Sequence, residues 1–255
     1  MNIVVCVKHA IDEYELKIDE KGRPQLETAQ RKMSAFDKNA IEEAIRIKES
    51  KGGQVSILTV GGSDSRKTIK EALAMGADKG CLVLTNPEEH DTLTTSYFLS
   101  KAVSKIGFDL VLCAEGASDT YHGQVGAMMA EWSGLPYIGY ARKIEIRGER
   151  VRCEVSLEDR IEVKETKMPA VISVVSEINE ARYPTLLQIV HASKKPIEEL
   201  TIDSLKDAKS PTRSIDVVNL TAQSVARKRI IFEDTPEEAA KRLIDALTKE
   251  GVLKR

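Results

Sequence analysis

Residues 116–126 read GASDTYHGQVG, which places Ser118, Asp119, Tyr121 and His122 close together between Gly116 and Gly123. These residue types can do three kinds of chemistry. A serine and a histidine move protons in nucleophilic catalysis when a third group orients the imidazole. A histidine and an aspartate begin a metal site when further donors converge. Small residues ahead of a helix bring backbone N–H groups onto an anion. The first use lacks a nucleophile-elbow motif, and Asp119 adjoins the serine. The second lacks donors nearby, since His9, His90 and His191 are scattered along the chain. The third suits Gly123 to Gly126 best, with Gln124 free to hydrogen-bond a base or a ribose. An exposed loop of purely structural role is the remaining alternative.

A cradle needs elements to hold it. Four nearly continuous apolar runs, Ile3–Val7, Val55–Val60, Gly80–Leu84 and Leu110–Cys113, read as strands covered on both faces. Helical patterns lie between them. Ser34-x-x-Asp37 predicts a capped start for a helix carrying Ile41, Ala44, Ile45 and Lys48 on one face. Ser63 or Asp64 starts a second helix that ends at Gly76, and Asp91-Thr92 starts a third with Phe98, Leu99 and Ala102 inward. The alternation predicts an α/β fold with a doubly wound, mostly parallel, Rossmann-like sheet. Tyr14–Glu27 interrupts the first crossover as a small hairpin around Glu20-Lys21-Gly22. Residues 142–166 alternate charge and apolarity about a Gly148 turn, which predicts an antiparallel addition, and MPAVISVV (168–175) returns to a buried strand. These elements make a nucleotide-binding domain over residues 1–190. From residue 191 to 255 the chain reads as an extended C-terminal arm that packs on a partner, poorly ordered over 191–234 without one. It ends in a helix opened by Thr235-Pro236-Glu237-Glu238.

Bulk properties narrow the partners. With 38 basic and 40 acidic residues the net charge is only -2, which gives no pull toward nucleic acid or an anionic membrane. Aromatic residues, at 4%, are too few for a base-stacking surface. The start, MNIVVCVKHAID, has neither the basic end nor the long apolar core of a signal peptide, and no apolar run is long enough for a membrane span. Four widely spaced cysteines without a C-x-x-C pair read as buried thiols in a reducing cytoplasm.

Ligands of an open parallel sheet sit at the carboxyl ends of its strands. Three segments leave strands there: Lys8-His9-Ala10, Gly61-Gly62-Ser63 and the stretch after Cys113. Gly61–Ser65 also resembles the pyrophosphate loop of ATP pyrophosphatases, with Val60 in place of the first serine; a glycine turn before a helix cap is the alternative. Acceptance of the first would make the chain a stand-alone ATP-using enzyme. Arg182-Tyr183-Pro184-Thr185-Leu186-Leu187 has the composition of interface anchors, or else begins a helix with core leucines.

Taken together, VCVKHAID, FDKNAIEEAIRIKE, TIKEALAMGADKG, FDLVLCAEGASD…GQVG, KMPAVISVVSEINEARYPTL and KKPIEEL resemble the β subunits of electron transfer flavoproteins nearly end to end. Residues 118–126 are similar to the branch associated with nitrogen fixation and carnitine metabolism, and DTLTTSY (91–97) to electron-bifurcating members. The resemblance implies an electron carrier, not an independent catalyst. It implies a heterodimer with an α subunit that holds the redox-active FAD, and AMP or a second FAD in the β subunit. Electrons would pass between a flavin-containing, acyl-CoA-type dehydrogenase and a quinone-side acceptor, or from NADH in the bifurcating version. The matching nucleotide positions are Cys6, Val7 and Lys8; Ser34 to Asp37; Val60; and Ala114 to Val125, with Gly116, Ser118, Asp119, Gly123, Gln124 and Val125 among them. Asp91, Thr92, Thr95 and Ser96 would add contacts to a diphosphate, which only FAD has. Tyr14 lies nearest to the aromatic that approaches the flavin ring in relatives. Arg182, Tyr183 and Leu186 match the partner-recognition segment. Ser34-Ala35, Ala181 and Thr120-Tyr121-His122 depart from the family pattern, and the last leaves AMP against FAD open.

Overall fold

A computed structural model describes residues 1–222 and 228–253. Strand and helix alternate as the periodicity predicts. The first part comprises β1 (Asn2–Cys6), β2 (His9–Ile11), β3 (Arg31–Met33), α1 (Ala35–Lys51), β4 (Gln54–Gly61), α2 (Arg66–Met75), β5 (Lys79–Leu84), α3 (Thr92–Ile106), β6 (Leu110–Ala114) and α4 (Val125–Ser133). The second comprises β7 (Tyr137–Arg147), β8 (Arg150–Ser156), β9 (Ile161–Lys167), β10 (Ala170–Val174), α5 (Leu186–Ala192), β11 (Ile197–Thr201) and α6 (Pro236–Lys249).

Among the described residues, nine strands form one sheet in the order β11-β5-β4-β1-β6-β10-β7-β8-β9. Pairing is parallel from β11 to β7 and antiparallel from β7 to β9. The chain steps outward from β1 through β4 to β5, then returns to lay β6 on the other side of β1. The crevice between the carboxyl ends of β1 and β6 is therefore the topological switch point, where such folds bind ligands.

Alternate residues of β1 build two separate cores. Ile3, Val5 and Val7 pack with Ile41, Ala44 and Ile45 of α1 and Ile69, Ala72 and Leu73 of α2. Val4 and Cys6 pack on the other face with Phe98, Leu99 and Ala102 of α3 and Met129 and Ala130 of α4. That is why the inner strands read as unbroken apolar runs, and each large aliphatic side chain so buried contributes about 1.5–3 kcal/mol.

Helix starts follow the sequence in two cases and depart from it in two; α2 begins at Arg66, after a turn over Ser63–Ser65, with no side-chain cap from Ser63 or Asp64. Asp91 and Thr94 form a reciprocal capping box on α3, and Thr235 with Pro236 opens α6. Ser34 does not cap α1 with its side chain. Its hydroxyl instead accepts a hydrogen bond from the Ser118 N–H at 3.2 Å, and Asp37 accepts from the Lys8 N–H at 2.6 Å. Both donors come from segments leaving the sheet, whose N–H groups have no strand partner. Tertiary structure thus supplies a stronger demand for these side chains than the local helix end does.

The excursion after β1 has the expected turn, with Gly22 at φ +74° and a bridge from Ile18 to Pro24. It is closed at its base by the β2–β3 pair, strands of three residues that leave no readable period. Beyond His191, Ile197–Thr201 adds β11 to the edge beside β5. Residues 211–222 and 228–234 then run without helix or strand, and α6 buries none of its side chains. The sequence expectation for 191–234 includes residues 223–227, which lie outside the described residues. No helix among the described residues is long and apolar enough to cross a membrane.

Candidate functional site

At the switch point, Lys8 lies two residues past the end of β1, and it ties three elements together. Its N–H holds Asp37 of α1, and its ammonium meets Asp119 Oδ1 at 2.7 Å and Thr120 Oγ1 at 3.3 Å. Asp119 Oδ2 accepts from the Ile11 N–H at 3.1 Å. Burial pushes the Asp37 carboxyl up to about 8; the Lys8 N–H and ammonium oppose this, and the charge of Asp119 reinforces it. The shift favours the uncharged carboxyl beside the Lys8–Asp119 pair.

The loop from β6 to α4 is shaped by its small residues. Tyr121 sits at φ +48°, an uncommon backbone for a non-glycine, with its N–H on the Ala117 carbonyl at 2.9 Å. Its ring lies over Gly116, where an added Cβ would come within 2.9 Å of it, and meets Phe36 edge-on at 5.5 Å between centroids. Gly123, at φ +66°, turns the chain into α4. Gln124 stands at the cap position without using its side chain there, so among the described residues the start of α4 has no side-chain cap. The Ser118 hydroxyl is buried and has no hydrogen-bond partner among the described residues. A buried hydroxyl left in that state costs about 1–3 kcal/mol, so it suits a ligand group.

Catalytic and metal uses find no geometry. The His122 Nδ1 lies 3.3 Å from Thr92 Oγ1 at the start of α3, not on Ser118, and Asp119 is held by Lys8. Among the described residues no group of three or more histidine, cysteine, aspartate or glutamate side chains converges as metal ligands do. The Gly61–Ser65 loop makes a single tight turn into α2, and its Asp64 lies 3.2 Å from His9 Nε2. Burial, ahead of the opposing charge of Asp64, lowers the His9 pKa.

The structure gathers most of the candidates at one sheet edge. Cys6 ends β1 and Val7 and Lys8 follow it; Ser34 and Asp37 open α1; Val60 is near the end of β4; Ala114, Gly116, Ser118, Asp119, Gly123, Gln124 and Val125 run from β6 into α4. Cys6 is buried, and hydrogen bonding with Cys113, then burial, holds its thiol well above the usual range. It can offer a ligand packing and backbone only. On α3, Asp91 caps Thr94 and also accepts from the Ser214 N–H at 2.8 Å and hydroxyl at 3.0 Å. Burial raises its pKa, but these hydrogen bonds outweigh burial and keep the carboxyl well below the usual carboxylate range. Ser96 is buried and donates to the Leu93 carbonyl at 2.8 Å. Of the expected set of four, that leaves Thr95 and Thr92, the latter with its Oγ1 3.3 Å from His122 Nδ1. Tyr14 stands on the β2–β3 excursion, exposed, with the Lys32 ammonium 5.0 Å from its ring centre.

Near the start of α5, Tyr183 is 90% exposed and Leu186 78%, so the leucines are not core residues. Arg182 behaves differently, lying in ion pairs with Glu42 and Glu49 of α1. Those two glutamates, together with Phe36, were not singled out from sequence. Their signal was the spacing of seven that puts Glu42 and Glu49 on one face of α1.

A family model described as "Electron transfer flavoprotein domain" matches residues 25–205. A relative from Thermoanaerobacterium thermosaccharolyticum, named electron transfer flavoprotein subunit beta, is 36% identical over 99% of this chain and 100% of its own length. Relatives of the same name from Bacillus subtilis and Clostridium acetobutylicum are 34% and 32% identical, each over 98% of this chain and 99% of theirs. Identity at that level along the whole length, on a doubly wound sheet with a glycine-lined crevice at its switch point, shows that the chain belongs to the electron transfer flavoprotein family, among its β subunits.

Proposed function

We propose that this β subunit works in the cytoplasm as one half of a heterodimer. Its α partner holds the redox-active FAD, and its own switch-point crevice holds an adenine nucleotide, AMP or a second FAD. In this role it carries electrons between flavin-containing, acyl-CoA-type dehydrogenases and a quinone-side acceptor. The observation that carries the nucleotide reading is the crevice itself. It has an α4 start without a side-chain cap, a buried Ser118 hydroxyl with no partner among the described residues, a buried Asp37 carboxyl, and Gly116 and Gly123 where backbone must come close. The phosphate would be held by backbone N–H groups of residues 123–126, and the base or ribose by Gln124. Cys6, Val7, Val60 and Ala114 would line the adenine side through backbone and packing. When bound, FAD supplies one- and two-electron chemistry; the part of this chain is to hold a nucleotide and present docking surface. Tyr183 and Leu186 would supply that surface toward the dehydrogenase, and the exposed Tyr14 would meet the flavin of the partner.

A second FAD, with NADH oxidation and electron bifurcation, is favoured by one observation. His122 touches Thr92, so the start of α3 and the cradle loop meet at one mouth, where Thr92 and Thr95 can reach a diphosphate. Denaturing the purified heterodimer and identifying what it releases separates the versions. One FAD with AMP supports the simple carrier, and two FAD support bifurcation. Release of no second nucleotide would overturn the crevice assignment.

A further inference from the structure

We propose that Arg182 and Asn179 are positioning residues: with Glu42, Glu49 and Asn39 they form a clasp on α1 that fixes the exposed apolar segment in its docking orientation. The proposal rests on the reading that Tyr183 and Leu186 meet a dehydrogenase. Arg182 Nε donates to Glu42 Oε2 at 2.7 Å and Nη2 to Glu42 Oε1 at 3.1 Å. Nη1 donates to Glu49 Oε1 at 2.6 Å and Nη2 to Glu49 Oε2 at 3.1 Å, while the backbone N–H adds a bond to Glu42 Oε2 at 3.2 Å. Four of the five guanidinium N–H bonds are thus engaged inside the chain, which leaves little for a partner's carboxylate. Glu42 is buried, and Arg46 Nε completes its shell at 2.7 Å.

About one turn nearer the start of α1, a second hold is made by amides. Asn39 Nδ2 donates to the Asn179 carbonyl at 2.8 Å, and Asn179 Nδ2 donates back to the Asn39 carbonyl at 3.1 Å and to Glu43 Oε2 at 3.1 Å. The chain is therefore gripped on both sides of Ala181, which packs against the main core. Immediately beyond, the grip ends. Tyr183, Leu186, Leu187, Ile189 and Val190 are all exposed, and α5 buries only Ala192. The seven-residue helix buries one alanine against the main core, and its far end is held beside α2, where Lys195 Nζ donates to the carbonyls of Leu73 at 2.9 Å and Ala77 at 2.6 Å. The clasp holds its entry, where the exposed residues begin, and so removes ordering cost before docking occurs. Because α1 begins at Ser34 and Asp37, the same helix anchors the cradle and the docking segment.

The test uses the intact heterodimer, with butyryl-CoA and a butyryl-CoA dehydrogenase as electron source and the heterodimer as varied substrate. Arg182→Gln is expected to raise KM about tenfold and Arg182→Lys, which keeps charge but not the fork, by about threefold. In both, kcat, flavin absorbance and the rate of dithionite reduction stay at the wild-type level. Glu49→Gln, which loosens only the exposed half of the clasp, gives a smaller rise in KM and stands in if Arg182→Gln does not assemble. Unchanged KM with a lowered melting temperature would make the clasp merely structural and overturn the proposal, as would a fall in kcat at unchanged KM. Leu186→Ala is measured alongside. If it leaves KM unchanged, the docking reading itself fails; if it raises KM while the clasp variants do not, docking stands and positioning fails.

Discussion

Replacing Asp37 with asparagine should abolish a pH dependence of stability that the wild-type protein carries. Asp37 is 4% exposed, and its carboxyl is raised from an ordinary 3.8 to about 8, chiefly by burial. Between those values the folded chain holds a proton that the unfolded chain has released. The folded state then binds more protons, so stability falls as pH rises through this window and levels off above about pH 8. The slope is about 1.4 kcal/mol per pH unit, so moving from about pH 6 to about pH 7.5 costs about 2 kcal/mol. For a chain of this length that is about 4–8 °C in melting temperature. Asparagine keeps a carbonyl oxygen for the Lys8 N–H but cannot ionise. His9 and His90, both lowered by burial, act in the opposite sense, adding stability as pH rises through their ordinary range. They are common to both proteins, so the difference between the two melting curves against pH isolates Asp37. Circular dichroism melts of the heterodimer from about pH 5 to about pH 8.5 supply those curves. A flat difference curve would refute the reasoning: Asp37 would then be ionised throughout, with Lys8 overcoming burial.

Three further outcomes follow from the same geometry. Leu112→Ala, at a fully buried position on β6, should cost about 2–5 kcal/mol in denaturant unfolding, whereas Leu186→Ala should change stability by less than about 0.5 kcal/mol while slowing electron transfer with the dehydrogenase. Gly123→Ala forces a side chain onto φ +66° with its Cβ 3.2 Å from the Glu115 carbonyl; it should cost about 1 kcal/mol and lower the nucleotide retained per purified heterodimer. All four cysteines are buried as free thiols, so a thiol reagent should label the native protein slowly and the denatured protein at four sites.

The alternation of apolar runs with helical faces was enough to place β1, β4, β5 and β6 and the helices between them, because strands covered on both faces carry few polar residues. The Gly148 turn and the charge-alternating strands around it were equally plain, since half-exposed antiparallel sheet writes its period directly. One glycine of residues 116–126 has a plain conformational reason: Gly123 occupies a backbone region that side chains avoid. What could not be read was the pairing of side chains distant in sequence. Ser34 looks like a helix cap and Asp37 like its partner, yet both are taken by N–H groups of Ser118 and Lys8. Nothing in the sequence pairs Lys8 with Asp119, or Arg182 with Glu42 and Glu49, yet the fold brings each set together. Local pattern reports which face a residue takes, because burial has a period. Only the folded chain decides which donor meets which acceptor, because that depends on strand order bringing β1, α1 and the β6–α4 loop to one edge.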